Sequence, residues 1–423
     1  MLSMLPSHRP LGADAGLTWS GSQRRLRTVA RAAMLLCGGM AVSAPALAVL
    51  SDTIHPFASV AYSYEDNLLR LPDAPPGVDQ PRSDQVRSVV AGVDLERPVG
   101  RQLFTASASA SRVQFQRFDA LNYNGSDLNG NWKWALGNHL EGNLGGSYSQ
   151  TLAPYADFQR DERNLRTQRN SHADLAWHLH PSWRLRTRFN RDQYAYDLDS
   201  QRYLDRKEDS GEVGIDYLPS SNSAIGLVQR RLKGSYPHPL VFGPYVLDEG
   251  YVQNETKLNV RWALTPVTLV EFLGGRAHRE HNLFTDRDAS GANGQLQLTW
   301  NPTAKLGLVA SAFRQFSPFE GATATYSLNK GVVIKPLWNA SAKLQFDAQL
   351  KYVKRDFAGL TTGLSATGTD DATRTASLGM RYQVLDQLQL GLSLLHDARS
   401  SASTQVSNSY RANSVSFNAT LQF

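Results

Sequence analysis

Arg184, Arg186 and Arg188 occupy alternate positions in the run W-R-L-R-T-R-F, with Leu185 and Phe189 between and beyond them. In an extended strand alternate side chains share a face, so this spacing lines up three guanidinium groups and turns the apolar residues the other way. The same alternation sets Lys257 and Arg261 against Leu258, Val260, Trp262 and Leu264. It also sets Lys343 and Lys351 against Leu344, Phe346, Leu350 and Tyr352, and Arg381 against Met380 and Tyr382. Glu141, Asp174, Glu212, Asp216 and Asp347 fall on the same polar faces. Rows of cations in a hydrated bore attract an anionic solute and bias selectivity, so these eight basic residues are the candidate contacts for an anion. The plainer expectation for any one of them is a pair with a neighbouring carboxylate that only hydrates the bore.

Other chemistry-bearing fragments are weaker. Asp286-Arg287-Asp288-Ala289-Ser290-Gly291 opens like a calcium loop, but its twelfth position is Gln297 where a bidentate Glu is needed. His178 and His180 share a strand face without an evident third ligand, whereas His278 and His281 do not share one. Asp209-Ser210-Gly211 begins an alternating strand and lacks the strained elbow of a serine hydrolase. Glu65-Asp66-Asn67 stands where a strand meets a loop and reads as a turn cap or a sugar or cation contact. No catalytic residue, metal site or cofactor is assigned.

The elements that must position these side chains are long strands. The last residues are the clearest: Val415, Phe417, Ala419, Leu421 and Phe423 alternate with Ser414, Ser416, Asn418, Thr420 and Gln422, and the chain stops on an aromatic residue. That pattern suits the final strand of an outer-membrane β-barrel or, equally on its own, the last strand of a soluble sandwich. Upstream, Arg24, Arg25, Arg27 and Arg31 precede the apolar run Ala32–Val42 and then Ala46-Leu47-Ala48, the order of a secretory signal peptide cleaved after Ala48. The only cysteine, Cys37, lies in this segment, leaving residues 49–423 without thiol or disulfide chemistry. The whole chain carries +6, but residues 49–423 hold 39 basic against 37 acidic side chains, so a nucleic-acid partner loses its support. Mean hydropathy is −0.38 and no later run approaches the roughly 18 apolar residues of a membrane helix.

After residue 48 the alternating segments are joined by connections that are by turns short and long. The first strand is expected at Ile54–Tyr64 and its return at Gln85–Leu95, closed by a tight turn at Arg97-Pro98-Val99-Gly100. Eight short and nine long connections join about 18 strands, an all-β transmembrane antiparallel barrel with both ends on the short-turn side. Trp132, Trp134, Trp177, Trp183, Trp262, Trp300 and Trp338 all fall near short-turn ends, as one interfacial aromatic girdle on the periplasmic side requires.

His55-Pro56-Phe57, followed by Tyr64-Glu65-Asp66-Asn67-Leu68-Leu69-Arg70, resembles the opening of the EpsL-type outer-membrane proteins of exosortase-associated exopolysaccharide operons. The resemblance is specific over about two dozen residues and architectural beyond them. It implies a channel that exports or helps assemble extracellular polysaccharide, with periplasmic polysaccharide-export components as partners and no catalytic residue to carry over. The expected location is the bacterial outer membrane, in contact with its lipid. Two alternatives stand beside it: a general solute porin, and an outer-membrane enzyme that modifies polysaccharide or lipid.

Overall fold

A strand wall between lipid and water must bond every backbone N–H and C=O to a neighbouring strand, because hydrocarbon offers no partner. The computed structural model describes residues 53–72, 81–156, 159–219, 222–242, 245–283, 285–318, 324–360, 369–402 and 407–423. The segment read as an export signal, residues 1–48, lies outside the described residues. The first nine strands are β1 (Ile54–Glu65), β2 (Asp84–Val99), β3 (Gln102–Phe115), β4 (Tyr123–Leu136), β5 (Leu140–Leu152), β6 (Leu165–His180), β7 (Trp183–Tyr196), β8 (Arg206–Tyr217) and β9 (Ala224–Ser235). A small hairpin, β10 (Leu240–Phe242) and β11 (Tyr245–Leu247), stands apart in the next loop. The wall resumes with β12 (Tyr251–Thr265), β13 (Thr268–His281), β14 (Ala289–Trp300), β15 (Leu306–Pro318), β16 (Ala324–Asn339), β17 (Leu344–Leu360), β18 (Asp370–Gln383), β19 (Leu388–Ser401) and β20 (Tyr410–Gln422).

Apart from that hairpin, the strands form one 18-stranded sheet. Each pairs antiparallel with the next, β9 pairs with β12, and β1 pairs with both β2 and β20. The β1–β20 ladder, from Phe57 opposite Gln422 to Glu65 opposite Ser414, closes the ring, so no strand is left at an edge. Strand count and loop alternation are those expected from the sequence. Two short turns lie later than the sequence pattern places them: Arg97, Pro98 and Val99 stay in the ladder opposite Phe104, Leu103 and Gln102, and the chain reverses at Gly100 and Arg101, while Pro336 and Leu337, which read as a turn, stay in β16 opposite Leu308 and Gly307. The reversal needs a positive φ, 60° at Gly100, which glycine adopts without steric cost. Gly137 serves the turn between β4 and β5 in the same way, at 57°.

The outward positions are apolar and bare. Val213, Leu227 and Leu350 are 56%, 59% and 55% exposed, values that belong to a surface solvated by hydrocarbon. Of the seven tryptophans of the strands, Trp132, Trp177, Trp183, Trp262, Trp300 and Trp338 are exposed at short-turn ends, and Trp134 is half-buried beside them. Trp132 stacks on Phe104 with ring centres 5.6 Å apart, and Trp338 on Phe346 at 5.3 Å, so the girdle is braced across strands.

The core sits at the outer mouth. Leu68 and Leu69, from the loop after β1, are buried with Val86, Val113, Phe115, Phe118, Leu121, Tyr123, Leu152 and Tyr155. Val86, Val113, Phe115 and Tyr123 are inward-facing strand residues, so the loop folds into the barrel's end rather than away from it.

Candidate functional site

Register makes the charged wall. Antiparallel pairing puts Arg184 opposite Asp216, Arg188 opposite Glu212, Glu212 opposite Arg230, Arg230 opposite Glu255, and Arg261 opposite Glu271. Opposite charges set directly across a ladder attract. Asp216, fully buried, accepts from Arg184 Nη2 at 2.8 Å and from Asn259 Nδ2 at 3.2 Å, with Arg186 Nε at 3.3 Å. Glycines open the space: Gly214 lies opposite Arg186, and a Cβ at Gly226 would run into the Asp216 carboxylate. Glu255, also fully buried, takes Arg230 Nη1 at 3.3 Å and the Lys257 ammonium, and Arg230 Nε stands 3.3 Å from Glu212. Arg261 Nη1 donates to Glu271 Oε1 at 2.8 Å and its Nη2 to Asn222 Oδ1 at 3.1 Å.

The facing wall is uncharged over much of its height. Ser59, Ser63, Ser88, Ser107, Ser109, Ser414, Ser416, Asn418 and Thr420 point inward from β1, β2, β3 and β20, and Ser59 and Thr420 share a 2.9 Å hydrogen bond. One side of the bore thus offers hydroxyls and an amide, the other neutralised ion pairs.

Of the eight basic residues singled out from sequence, Arg184, Arg186, Arg188, Lys257, Arg261, Lys351 and Arg381 take the inward parity of their strands, as their outward neighbours are the exposed apolar ones. Lys343 does not. It sits exposed in the turn before β17, which starts at Leu344, because the alternation was carried one residue too far past the strand's end. Arg381 donates to Asp347 Oδ1 at 3.0 Å on the short-turn rim, exposed. Of these seven, Arg188 and Lys351 form no ion pair among the described residues. His178 Nε2 lies 3.2 Å from Glu141, and Asp174 accepts from Asn143 at 3.0 Å. Asp209 and Ser210 face opposite sides of β8, as neighbours in a strand do.

The loop stitching of the mouth is what sequence reasoning missed. Gln159, in the loop between β5 and β6, donates to the Arg70 carbonyl and accepts from Asn408 Nδ2 at 2.5 Å. Arg399, inward on β19, donates to the Ala156 carbonyl at 2.6 Å. The β5–β6 loop is therefore tied to strands and loops on the other side of β1, and it narrows the outer end. Glu65, Asp66 and Asn67 are turn-capping residues: Asn67 donates to the Leu71 and Arg411 carbonyls at 2.8 and 2.9 Å, Asp66 accepts from the Asn413 backbone at 2.7 Å, and Glu65 accepts from Arg70 at 2.9 Å. The one signal for this in the sequence is Leu68-Leu69, an apolar pair in an otherwise polar loop. Elsewhere on the outer side, burial pushes the Glu249 carboxyl up to about 7, with Asp248 adding and Arg287 opposing.

Residues 259–423 match the family model described as "Putative beta-barrel porin 2". No curated protein sequence matches the chain. Among solved structures, it is similar to the outer membrane protein OpdK from Pseudomonas aeruginosa (9% identity, covering 88% of this chain and 99% of that one, TM-score 0.48). It is also similar to a BenF-like porin from Pseudomonas fluorescens Pf-5 (10% identity, 88% and 100% covered, TM-score 0.47) and to OccAB3 from Acinetobacter baumannii (11%, 88% and 100%, 0.45). With a closed antiparallel ring, a bare apolar exterior, an aromatic girdle and a porin-family match over its C-terminal part, the chain is an outer-membrane β-barrel of porin-like fold.

Proposed function

We propose that this barrel is a passive channel for small polar solutes. The observation that carries the reading is the division of the lumen into a hydroxyl-lined wall and a wall of mutually paired charges. Paired charges keep the bore wet without a deep trap for either sign, and hydroxyls exchange weak hydrogen bonds with a passing solute. An 18-strand ring is of the size that leaves an aqueous channel. Liposome swelling tests it: vesicles carrying the barrel swell in unrelated small sugars at rates that fall with solute size. Swelling no faster than in empty vesicles refutes it.

A second reading, export of exopolysaccharide, rests on the resemblance of His55 to Arg70 to the EpsL-type proteins. In the fold that segment supplies β1 and the start of the next loop, whose Leu68 and Leu69 pack into the outer mouth where a polymer would emerge. An acidic polymer would meet Arg184, Arg186 and Arg188 as it slid, with Arg188 unpaired. Deletion of the gene decides between the two: periplasmic accumulation of polymer supports export, and unchanged surface polymer refutes it.

A further inference from the structure

The outward face carries a second set of arginines, and these differ from those of the lumen. Arg87 on β2, Arg112 on β3, Arg169 on β6, Arg231 on β9, Arg276 on β13 and Arg374 on β18 all have outward parity and are all exposed. Each lies within two to four positions of the last apolar or small outward residue, on the long-loop side. Together they form a cationic collar directly above the apolar band, whereas the short-turn end is ringed by tryptophan.

The collar has no counter-charge within the described residues. Among the described residues none of these six forms an ion pair. The outward carboxylates at that level are already taken: Asp209 by Arg191 at 2.5 Å and Lys207 at 3.4 Å, Glu280 by His278 at 3.1 Å, Asp356 by Lys330 at 2.8 Å, and Asp370 by Lys354 at 2.9 Å. Six exposed guanidinium groups without a counter-charge at a lipid boundary attract an anion from outside the chain.

Two of them head grooves on the lipid-facing side. One groove runs over the small residues Ala106, Ala108, Gly130 and Gly146, beside Leu128, and ends at Tyr148 and Arg169. Leu128 stands opposite Tyr148, Tyr148 opposite Arg169, and the guanidinium lies 5.6 Å from the ring centre. The other is walled by Val332, Ile334, Leu350, Tyr352 and Ala376 and capped by Arg374 and His396. Each joins an apolar trough, placed for an acyl chain, to a cation placed for a head group.

We propose that the collar and its two grooves bind the phosphorylated glycolipid of the outer leaflet, acyl chains in the troughs and head-group phosphates on Arg169 and Arg374. Charge complementarity selects this occupant: an unphosphorylated lipid fills the troughs but leaves the collar unneutralised, and Arg is suited to phosphate by its bidentate fork. The proposal rests on the outer-membrane location and not on what passes through the bore.

The test incubates the purified barrel in detergent with bis-phosphorylated lipid A, the same lipid stripped of phosphate, and phosphatidylglycerol, and counts retained lipid by native mass spectrometry. Bis-phosphorylated lipid A is expected to be retained at least about tenfold over the stripped form. Loss of a surface cation weakens such binding about fivefold, so R169Q with R374Q together lower retention roughly 25-fold, while R169K with R374K keep most of it. Equal retention of stripped lipid A, equal retention of phosphatidylglycerol, or no effect of the Gln pair overturns the proposal. Heat-modifiable migration on gels checks folding, and should the Gln pair not fold, the three-lipid comparison on the unaltered barrel decides alone.

Discussion

Asp216→Asn removes the one carboxylate that two arginines of β7 share. Asp216 has Arg184 Nη2 at 2.8 Å and Arg186 Nε at 3.3 Å, and it is fully buried. The substitution keeps shape and the Asn259 contact at 3.2 Å while cancelling the charge. Two consequences follow. Breaking a buried pair costs about 3–5 kcal/mol in a dry core, and the hydrated side of these arginines places the expected loss near the lower figure. Electrically, removing one charge about 10 Å from the bore axis changes an ion's energy by about 0.4 kcal/mol at water's dielectric. The change has opposite sign for anion and cation, so their permeability ratio shifts about fourfold toward anions. The assay is the reversal potential across a planar bilayer under a low-salt gradient, with urea unfolding in parallel. An unchanged reversal potential in a folded variant would mean that Arg184 and Arg186 do not face the conducting path.

Further outcomes follow from other parts of the molecule. Gln159→Ala deletes two tethers of the mouth loop, to the Arg70 carbonyl and Asn408. At about 1 kcal/mol each this makes loop opening about 30-fold more frequent, seen as added flicker in single-channel records; a quiet trace refutes it. Gly100→Ala forces a side chain into a φ of 60° and costs about 1–2 kcal/mol, read from the urea midpoint. The Glu249 carboxyl, pushed up to about 7 mainly by burial, is favoured neutral in the fold. The stability it lends its loop is therefore full below the ordinary carboxylate range and lost as pH rises through about 7. Hydrogen exchange across residues 245–251 should be slower at pH 5 than at pH 8 after correction for intrinsic rates, and E249Q should remove the difference.

The wall was legible in the sequence because its two faces meet different solvents, so every strand writes its orientation at period two. That is why Val415 to Phe423 could be assigned a lipid face and a lumen face, and why Arg184, Arg186 and Arg188 were placed together. Strand ends are less legible. Lys343 continues the alternation of β17 but precedes it, and nothing in the local pattern marks where the ladder stops. The ion pairs are legible only once register is known, since Arg230 and Glu255 lie 25 residues apart and meet through the β9–β12 ladder. The mouth is least legible: Arg399 and the Ala156 carbonyl are 243 residues apart, and their contact depends on closure of the ring.

Arginine serves three different purposes in this chain, and the surroundings assign them. In the lumen, register sets Arg184, Arg230 and Arg261 across from carboxylates, so their charge is spent on the wall and leaves the bore close to neutral. At the mouth, Arg70 and Arg399 hold loops against strands. On the outside, Arg169 and Arg374 have apolar residues below them and no carboxylate to meet. Converting a lumen arginine to glutamine therefore takes a partner from a wall carboxylate and acts on stability and selectivity. Converting a collar arginine strands nothing within the chain, so unfolding in detergent stays within about 0.5 kcal/mol while behaviour in phosphorylated lipid changes. Should R374Q lower the urea midpoint in detergent as much as R184Q does, the separation of inner and outer arginines by function is wrong.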